Sequence, residues 1–194
     1  MLKDLMTETR SVRNFDRSRP ISESEVLSLI GLCTLTPSAA NLQAIKFTYT
    51  VSEEGCTAIF PHIKWAGYFT SNKPPFSGNE PTAYILLCND TSIRKAPYDI
   101  DTGIYAYAIT LGAREIGLGS CMIGSFSKEA VSGLFGLGEG YQPLLLIALG
   151  APKEKIQLVT AEDTEIKYYR NKDGVHCVPK RSIRELIITG EIKK

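Results

Sequence analysis

The sequence has almost no net charge and few histidines, and both shortages limit what the protein can do. Its 22 lysines and arginines nearly balance its 21 aspartates and glutamates, so the formal net charge is +1. No overall field favours nucleic acid or an anionic membrane as a partner, and any anion site must be local. Only His62 and His176 are present, and neither has surroundings typical of a metal ligand. We therefore expect no metal site and no Ser-His-Asp triad, and we expect both histidines at the surface or in loops.

Glycine-rich nucleotide motifs are also missing. Gly119 and Gly124 have P-loop spacing, but Ser125 stands where that loop requires lysine. The GLGEG run at 136–140 lacks the third glycine of a dinucleotide fingerprint and follows no clear strand. The G-x-S-x-G elbow of the α/β-hydrolases does not occur. The sequence thus predicts neither a P-loop nor a Rossmann site.

Long apolar runs and paired cysteines are absent as well. The longest mostly apolar run, 104–113, is far shorter than the roughly 20 residues of a membrane span. Residues 1–10 lack the apolar core of a signal peptide. The five cysteines are scattered, mostly in apolar runs, so we expect buried free thiols rather than disulfides. These features predict a cytoplasmic protein with no membrane partner.

Helix and strand patterns are mixed along the chain, with no repeat and no clear linker. Ser22 and Glu25 have the spacing of a capping box. Predicted helices cover 22–35, 99–116, 127–135 and 182–189. Predicted strands cover 47–51, 83–88, 118–123 and 144–149, with a hairpin over 168–178 and a long loop over 61–81. The pattern predicts an α+β protein with a single domain, residues 1–194, in which helices cover a sheet.

The predicted helix at 99–116 has an unusual composition. Between residues 104 and 113 it is apolar on nearly every side. A helix without a wet face is buried in a large core or against a partner. In a chain of 194 residues, a partner subunit is a real alternative to a large core.

Four stretches, each weak by itself, together resemble the nitroreductase family of FMN-dependent oxidoreductases. They are TRSVRNF at 9–15, PSAANLQ at 37–43, the run from 101 to 124 that ends in GLGSCMIG, and VPKRSIREL at 178–186. The resemblance implies a three-layer sandwich with a mostly antiparallel central sheet flanked by helices. It also implies an intertwined homodimer, in which the segment from about 150 to 194 packs on the partner subunit.

The resemblance implies FMN as cofactor and NADH or NADPH as hydride donor. The expected reaction is a ping-pong transfer of electrons to a nitroaromatic, quinone or enone, with no catalytic side chain required. Relatives also carry out reductive dehalogenation, flavin fragmentation and azoline dehydrogenation, and these alternatives stay open. A flavin-binding protein without turnover is a further alternative from a different class.

The resemblance also implies which residues contact FMN. On one subunit they are Arg10, Ser11, Arg13, Met122, Ile123, Gly124, Lys180 and Arg181. From the other subunit come Pro37, Ser38, Ala39 and Asn41. The implied roles are phosphate and ribityl contacts for Arg10 and Ser11, and a place near N1 and the C2 carbonyl for Arg13. Lys180 and Arg181 would close on the phosphate, and residues 122–124 would follow the ring by backbone contact.

Two positions depart from the family pattern. Thr9 stands where most members have a second arginine, which removes one charge from the expected phosphate site. Ala44 and Ile45 follow PSAANLQ where the family usually has Pro-Trp. Because that segment often shapes the substrate side, we expect a different substrate pocket.

Overall fold

An antiparallel sheet of five strands forms the centre of the structure. The computed structural model describes residues 2–97, 99–161 and 165–188. Strand β3 (Ala83–Asp90) lies between β2 (Ile45–Thr50) and β5 (Tyr141–Pro152). The other edge of β5 pairs with β4 (Gly119–Ile123) and, further along, with the short strand β1 (Phe15–Asp16). The predicted strands at 47–51, 83–88, 118–123 and 144–149 are therefore confirmed.

Helices cover both faces of this sheet, as predicted. They are α1 (Leu2–Glu8), α2 (Glu23–Gly31), α3 (Glu53–Ile59), α4 (Asp99–Glu115), α5 (Lys128–Leu134) and α6 (Ile183–Leu186). Helices α2 and α4 pack on one face, against side chains that include Ile85 and Ile147. Helices α3 and α5 pack on the other face, against Leu86 and Leu146. Because successive residues of a strand point to opposite faces, β3 and β5 supply both cores and are apolar over residues 83–88 and 143–149.

A second, smaller sheet follows β5. Its central strand is β8 (His176–Lys180), which pairs in parallel with β6 (Ile156–Thr160) and antiparallel with β7 (Tyr169–Arg170). The predicted hairpin at 168–178 is thus present, whereas β6 was not predicted. The expectation that His176 lies at the surface or in a loop was wrong, because it begins β8 and is only 1% exposed. The rings of Tyr168 and Phe69 pack against it.

The predicted helix ends differ by a few residues. The capping box of Ser22 and Glu25 is formed, but α2 passes into a 3₁₀ turn over Leu32–Leu35. Helix α6 is shorter than the predicted 182–189, and residue 189 lies outside the described residues. Helices α1 and α3, with seven residues each, were not predicted.

Two glycines let the N-terminal segment lie close to the sheet. A Cβ on Gly119 would lie 2.8 to 3.0 Å from the side-chain atoms of Val12. A Cβ on Gly150 would lie 2.6 to 2.8 Å from atoms of Phe15, which is completely buried. The missing side chain of Gly119 therefore leaves room for Val12. These contacts fix residues 10–15 beside β4 and β5.

We predict that Gly150→Ala destabilises the protein, because the added methyl group overlaps a fully buried ring. Overpacking of this kind typically costs about 1–3 kcal/mol. Gly133→Ala is the matched control, since nothing lies within 4 Å of its Cβ position and alanine favours the helix. Urea unfolding of both variants measures the difference. Equal stabilities of Gly150→Ala and wild type would show that Phe15 moves aside freely.

Candidate functional site

A cavity of about 230 Å³ lies where the N-terminal segment, β4, α4 and the second sheet meet. Its walls come from parts of the chain that are far apart in sequence. The lining residues are Thr9, Arg10, Ser11, Arg13, Tyr107, Thr110, Ser120, Met122, Tyr168, His176, Val178 and Lys180. Three of these side chains are cationic and, among the residues that the structure describes, no carboxylate lines the cavity.

The N-terminal wall is held by pairing with β4. Ser11 forms a parallel bridge with Ser120, and the N–H of Val12 donates to the Ser120 carbonyl at 2.9 Å. Val12 is buried against Gly119, while its neighbours Ser11 and Arg13 line the cavity. Val12 thus anchors the segment to the sheet between two residues that face the cavity.

The buried carboxylate of Glu154 joins this segment to the second sheet. Its Oε1 accepts from the backbone N–H groups of Arg13 at 2.5 Å and Asn14 at 3.2 Å. Its Oε2 accepts from Arg170 Nη2 at 2.8 Å and from Asn14 Nδ2 at 3.4 Å. The Glu154 side chain is only 4% exposed, so these donors replace water as its hydrogen-bond partners. Nothing in the local sequence marks this glutamate.

The guanidinium of Arg13 lies over the ring of Tyr168. Its central carbon is 4.7 Å from the ring centroid, which is a cation–π contact. Arg13 also donates from Nη1 to the Ser11 carbonyl at 3.4 Å. No ion pair involving Arg13 occurs within the described part of the chain. Its positive charge is therefore positioned by an aromatic ring and left uncompensated beside the cavity.

Arg10 has a similar setting at the end of α1. Its Nη2 donates to the Met6 carbonyl at 2.7 Å, and its buried Nε has no partner among the described residues. Lys180, the last residue of β8, adds a third positive charge to the same cavity. Converging cations with an unused N–H group are the donor set that a phosphate requires. The residues present therefore fit an anionic, phosphate-bearing cofactor.

Five of the residues predicted to contact FMN come together in this cavity, and seven do not. Arg10, Ser11, Arg13, Met122 and Lys180 line it. Ile123 is buried in the sheet, while Gly124 and Arg181 are exposed outside the lining. The remaining four, Pro37, Ser38, Ala39 and Asn41, are expected from a second subunit and do not line the cavity of this chain.

The segment 37–43 has a strained, well-fixed backbone. Ala40, Asn41 and Gln43 all have positive φ, between 50° and 54°, which is uncommon for residues other than glycine. The buried carboxylate of Asp101 accepts from the Ala39 N–H at 3.0 and 3.2 Å. Such strain persists only where the surroundings enforce it, and it is frequent at functional sites.

The sequence interpretation missed several lining residues. Tyr107 and Thr110 lie on α4, Ser120 lies on β4, and Tyr168, His176 and Val178 belong to the second sheet or precede it. Thr9, noted only for the missing arginine, is 8% exposed and donates its hydroxyl to the Leu5 carbonyl at 2.7 Å. The stretch VPKRSIREL could have directed attention to the rest of β8, since residues 176, 178 and 180 share one face of that strand.

Among the described residues, no helix has both the length and the apolar composition needed to cross a bilayer. The same residues contain no group of three or more histidines, cysteines, aspartates or glutamates that could hold a metal ion. All five cysteines are free and buried, as expected.

Comparison with known proteins finds sequence similarity to nitroreductases. Residues 90–151 match the model described as the nitroreductase family. The chain is 26% identical over 180 residues to YodC of Bacillus subtilis (strain 168), provisionally named an NAD(P)H nitroreductase, with 76% of this chain and 87% of that protein covered.

Solved structures share the fold at low sequence identity. An FMN-dependent nitroreductase from Clostridium difficile R20291 aligns with a TM-score of 0.64 and 19% identity, covering 87% of this chain and 97% of that one. The gut-bacterial enone reductase CLA-ER aligns with a TM-score of 0.68 and 20% identity, covering 84% and 93%. The predicted fold class is confirmed by these matches.

We predict that His176 makes stability depend on pH. Burial lowers the pKa of its imidazole to about 4, with Arg13 and Arg170 acting in the same direction and Glu154 opposing them. Between pH 4 and its ordinary pKa of 6.5, the unfolded state binds more protons, so stability rises with pH through this window. The contribution is complete above pH 6.5 and is lost as the pH falls towards 4, by at most about 1.4 kcal/mol per pH unit.

Urea unfolding of wild type and His176→Gln at pH 7, 6 and 5 measures this contribution. The difference in unfolding free energy between the two proteins should shrink as the pH falls. His62→Gln is the control and should keep the pH dependence of the wild type. Parallel curves for wild type and His176→Gln would contradict the assignment.

Proposed function

We propose that this chain, which has the fold of the nitroreductase family and matches its family model, is an FMN-dependent oxidoreductase. In this proposal it passes electrons from NADH or NADPH to an electron-poor organic acceptor. The observation that carries the proposal is the convergence of Arg10, Arg13 and Lys180 on one cavity without a lining carboxylate among the described residues. Such a cavity attracts an anion and rejects a cationic ligand.

In this proposal, the three cationic side chains bind opposite ends of FMN. Arg10 and Lys180 hold the phosphate, with Ser11 as a hydrogen-bonding neighbour, and the exposed Arg181 adds charge nearby. Arg13, fixed over Tyr168, lies beside the pyrimidine part of the ring. Thr9 supplies no charge, so Lys180 and Arg181 compensate for the arginine that most family members have there.

When bound, FMN would supply two-electron hydride chemistry between the nicotinamide and the acceptor. The protein contributes binding, orientation and electrostatics. Arg13 places a fixed positive charge where negative charge accumulates on reduction. Of residues 122–124, Met122 lines the cavity and would face the ring. No side chain is assigned a proton transfer.

We propose further that the active form is a homodimer. Helix α4 buries one side in the core and leaves a stripe of apolar residues on the other, with Ile100 58% exposed and Ile104, Ala108 and Leu111 half-buried. Residues at this spacing lie on one face of a helix and support an interface. The exposed segment 40–43 would then approach the cavity of the partner, and the exposed residues 183–188 would pack on it.

The exposed apolar residues of the C-terminal segment support this arrangement. Ile183, Leu186, Ile187 and Ile188 are between 58% and 98% exposed. Single exposed apolar residues need no explanation, but four within six positions form a patch that a partner would cover.

The acceptor is proposed from the chemistry of similar proteins. One is an enone reductase and another is provisionally an NAD(P)H nitroreductase, so nitroaromatics, quinones and enones are the acceptor classes to test. The residues Ala44 and Ile45 replace the usual Pro-Trp, which favours a pocket of different shape. The five cysteines are free and buried, which supports a location in the cytoplasm, where thiols stay reduced.

We predict that the purified protein is yellow and that denaturation releases FMN and not FAD. Adding NADH or NADPH without oxygen should bleach the flavin within seconds, and adding a quinone, enone or nitroaromatic should restore the colour. Absorbance at the flavin maximum in a stopped-flow instrument measures both steps. A colourless protein that ignores added FMN would refute the cofactor assignment. A yellow protein that stays oxidised for many minutes would be a flavin-binding module without turnover.

We predict that Ala108→Glu abolishes the dimer and FMN binding together, because the charge falls within the apolar stripe and the site is shared between subunits. Obligate interfaces typically bury more than about 2,000 Å², which one buried charge can disrupt. Light scattering and flavin fluorescence measure the two effects. Ser28→Glu adds the same charge at an exposed position of α2 and should change neither. A monomer that retains FMN at sub-micromolar concentration would contradict the shared site.

A further inference from the structure

One polar side chain in the wall of the cavity has no partner. His176 is 1% exposed, and neither its Nδ1 nor its Nε2 has a hydrogen bond among the described residues. Buried polar atoms almost always have partners, so an imidazole with two unused nitrogens requires an explanation. The nearby Glu154 and Asn14 show the usual behaviour, because each has several hydrogen bonds.

The orientation of His176 is fixed without using its ring nitrogens. Its ring meets the edge of Tyr168 at 5.3 Å between centroids and lies 5.7 Å from Phe69. Its backbone N–H donates to the Lys155 carbonyl at 2.9 Å, and β8 is paired on both sides. Aromatic packing and strand pairing thus hold the imidazole still, as expected for a group prepared to bind a ligand.

The charged groups around His176 keep it neutral. Glu154 approaches most closely, with Oε2 3.9 Å from Nδ1, but that carboxylate already accepts from Arg13, Asn14 and Arg170. Arg13, from the N-terminal segment, and Arg170, from β7, act against protonation, as does burial. Lys180, further along β8, adds another positive charge to the same cavity. A neutral imidazole offers one donor and one acceptor.

Strand β8 sets the position of His176 relative to the phosphate end. His176, Val178 and Lys180 alternate along the strand and all line the cavity. At about 3.3 Å per residue, His176 is about 13 Å from Lys180 along the strand. If Lys180 binds the phosphate, His176 lies towards the far end of the cofactor, where Arg13 is also placed.

We propose that His176 is a positioning residue whose neutral imidazole hydrogen-bonds the pyrimidine edge of the bound flavin, beside Arg13. This edge presents two carbonyl acceptors and an N–H donor, so whichever nitrogen of the neutral imidazole faces it finds a complementary group. A phosphate offers acceptors alone and pairs only with the N–H nitrogen of the imidazole. The proposal rests on the proposed function, since it requires a flavin in this cavity.

The first test uses the fact that the chain has two histidines. Protein labelled with ¹⁵N-histidine gives imidazole signals from His176 and His62, and His62 does not line the cavity. At pH 7, the His176 signals should remain those of a neutral ring and should move when FMN or riboflavin is added, while the His62 signals stay in place. Unmoved His176 signals, or a protonated ring with FMN alone, would overturn the proposal.

The second test compares two ligands that differ only in the phosphate. His176→Phe keeps an aromatic ring but removes both nitrogens, and it should raise the Kd of FMN and of riboflavin by the same factor, between about two- and tenfold. His176→Gln, which restores a donor and an acceptor, should recover most of the affinity. Arg10→Gln is the phosphate-end control and should weaken FMN much more than riboflavin.

The other possible results either overturn the proposal or test the proposed function itself. A loss confined to FMN in His176→Phe would place the residue at the phosphate, and unchanged affinities would make it purely structural; either result overturns the proposal. If circular dichroism shows that His176→Phe does not fold, the imidazole signals of the labelled wild type and the flavin affinities of His176→Gln test the proposal instead. If the wild type binds neither flavin, the proposed function itself has failed, which the wild-type titration shows before any variant is made.

Discussion

The cavity depends on one buried carboxylate. Glu154 accepts two backbone N–H groups from the N-terminal segment and the guanidinium of Arg170 from the second sheet. Without it, those donors would be buried and unpaired, and breaking a buried pair in this way typically costs about 3–5 kcal/mol. Glu154 also lies next to the cavity without lining it, so it balances nearby positive charge while Arg10, Arg13 and Lys180 stay available to a ligand.

Helix α4 contacts the segment 37–43, lines the cavity and carries the apolar stripe on its outer side. At its start, Asp101 holds the strained segment 37–43 through the Ala39 N–H. In its middle, Tyr107 and Thr110 line the cavity. Its outer side carries the apolar stripe that includes Ala108. The mostly apolar composition at 104–113 therefore has two parts, since one side of the helix packs on the sheet and the other carries the more exposed apolar stripe.

The parts of the fold that sequence predicts well are those whose signals are local. The capping box at Ser22, the apolar run of β3 and the composition of α4 were each visible within a few residues.

The parts that sequence reasoning missed depend on contacts between distant residues. Glu154 accepts a hydrogen bond from Arg13, which lies 141 positions away in the sequence. No local pattern around either residue predicts this contact. His176 follows a turn, Asp173–Gly174, which is typical of an exposed hairpin, but β6 covers the other side of its strand. Resemblance to a family located the cationic end of the cavity because that end lies on short motifs, whereas the aromatic wall has no such motif.

The cavity draws its walls from residues 9–13 and from residues 168–180, and this has a consequence for synthesis on the ribosome. Arg10 emerges about 170 residues before Lys180, so at about 5–20 residues per second the two are separated by roughly ten to thirty seconds of translation. For part of that time Val12 and Phe15 have no β4 or β5 to cover them, and their apolar surface is open to chaperones. A ligand that needs both walls can be captured only after translation has passed β8.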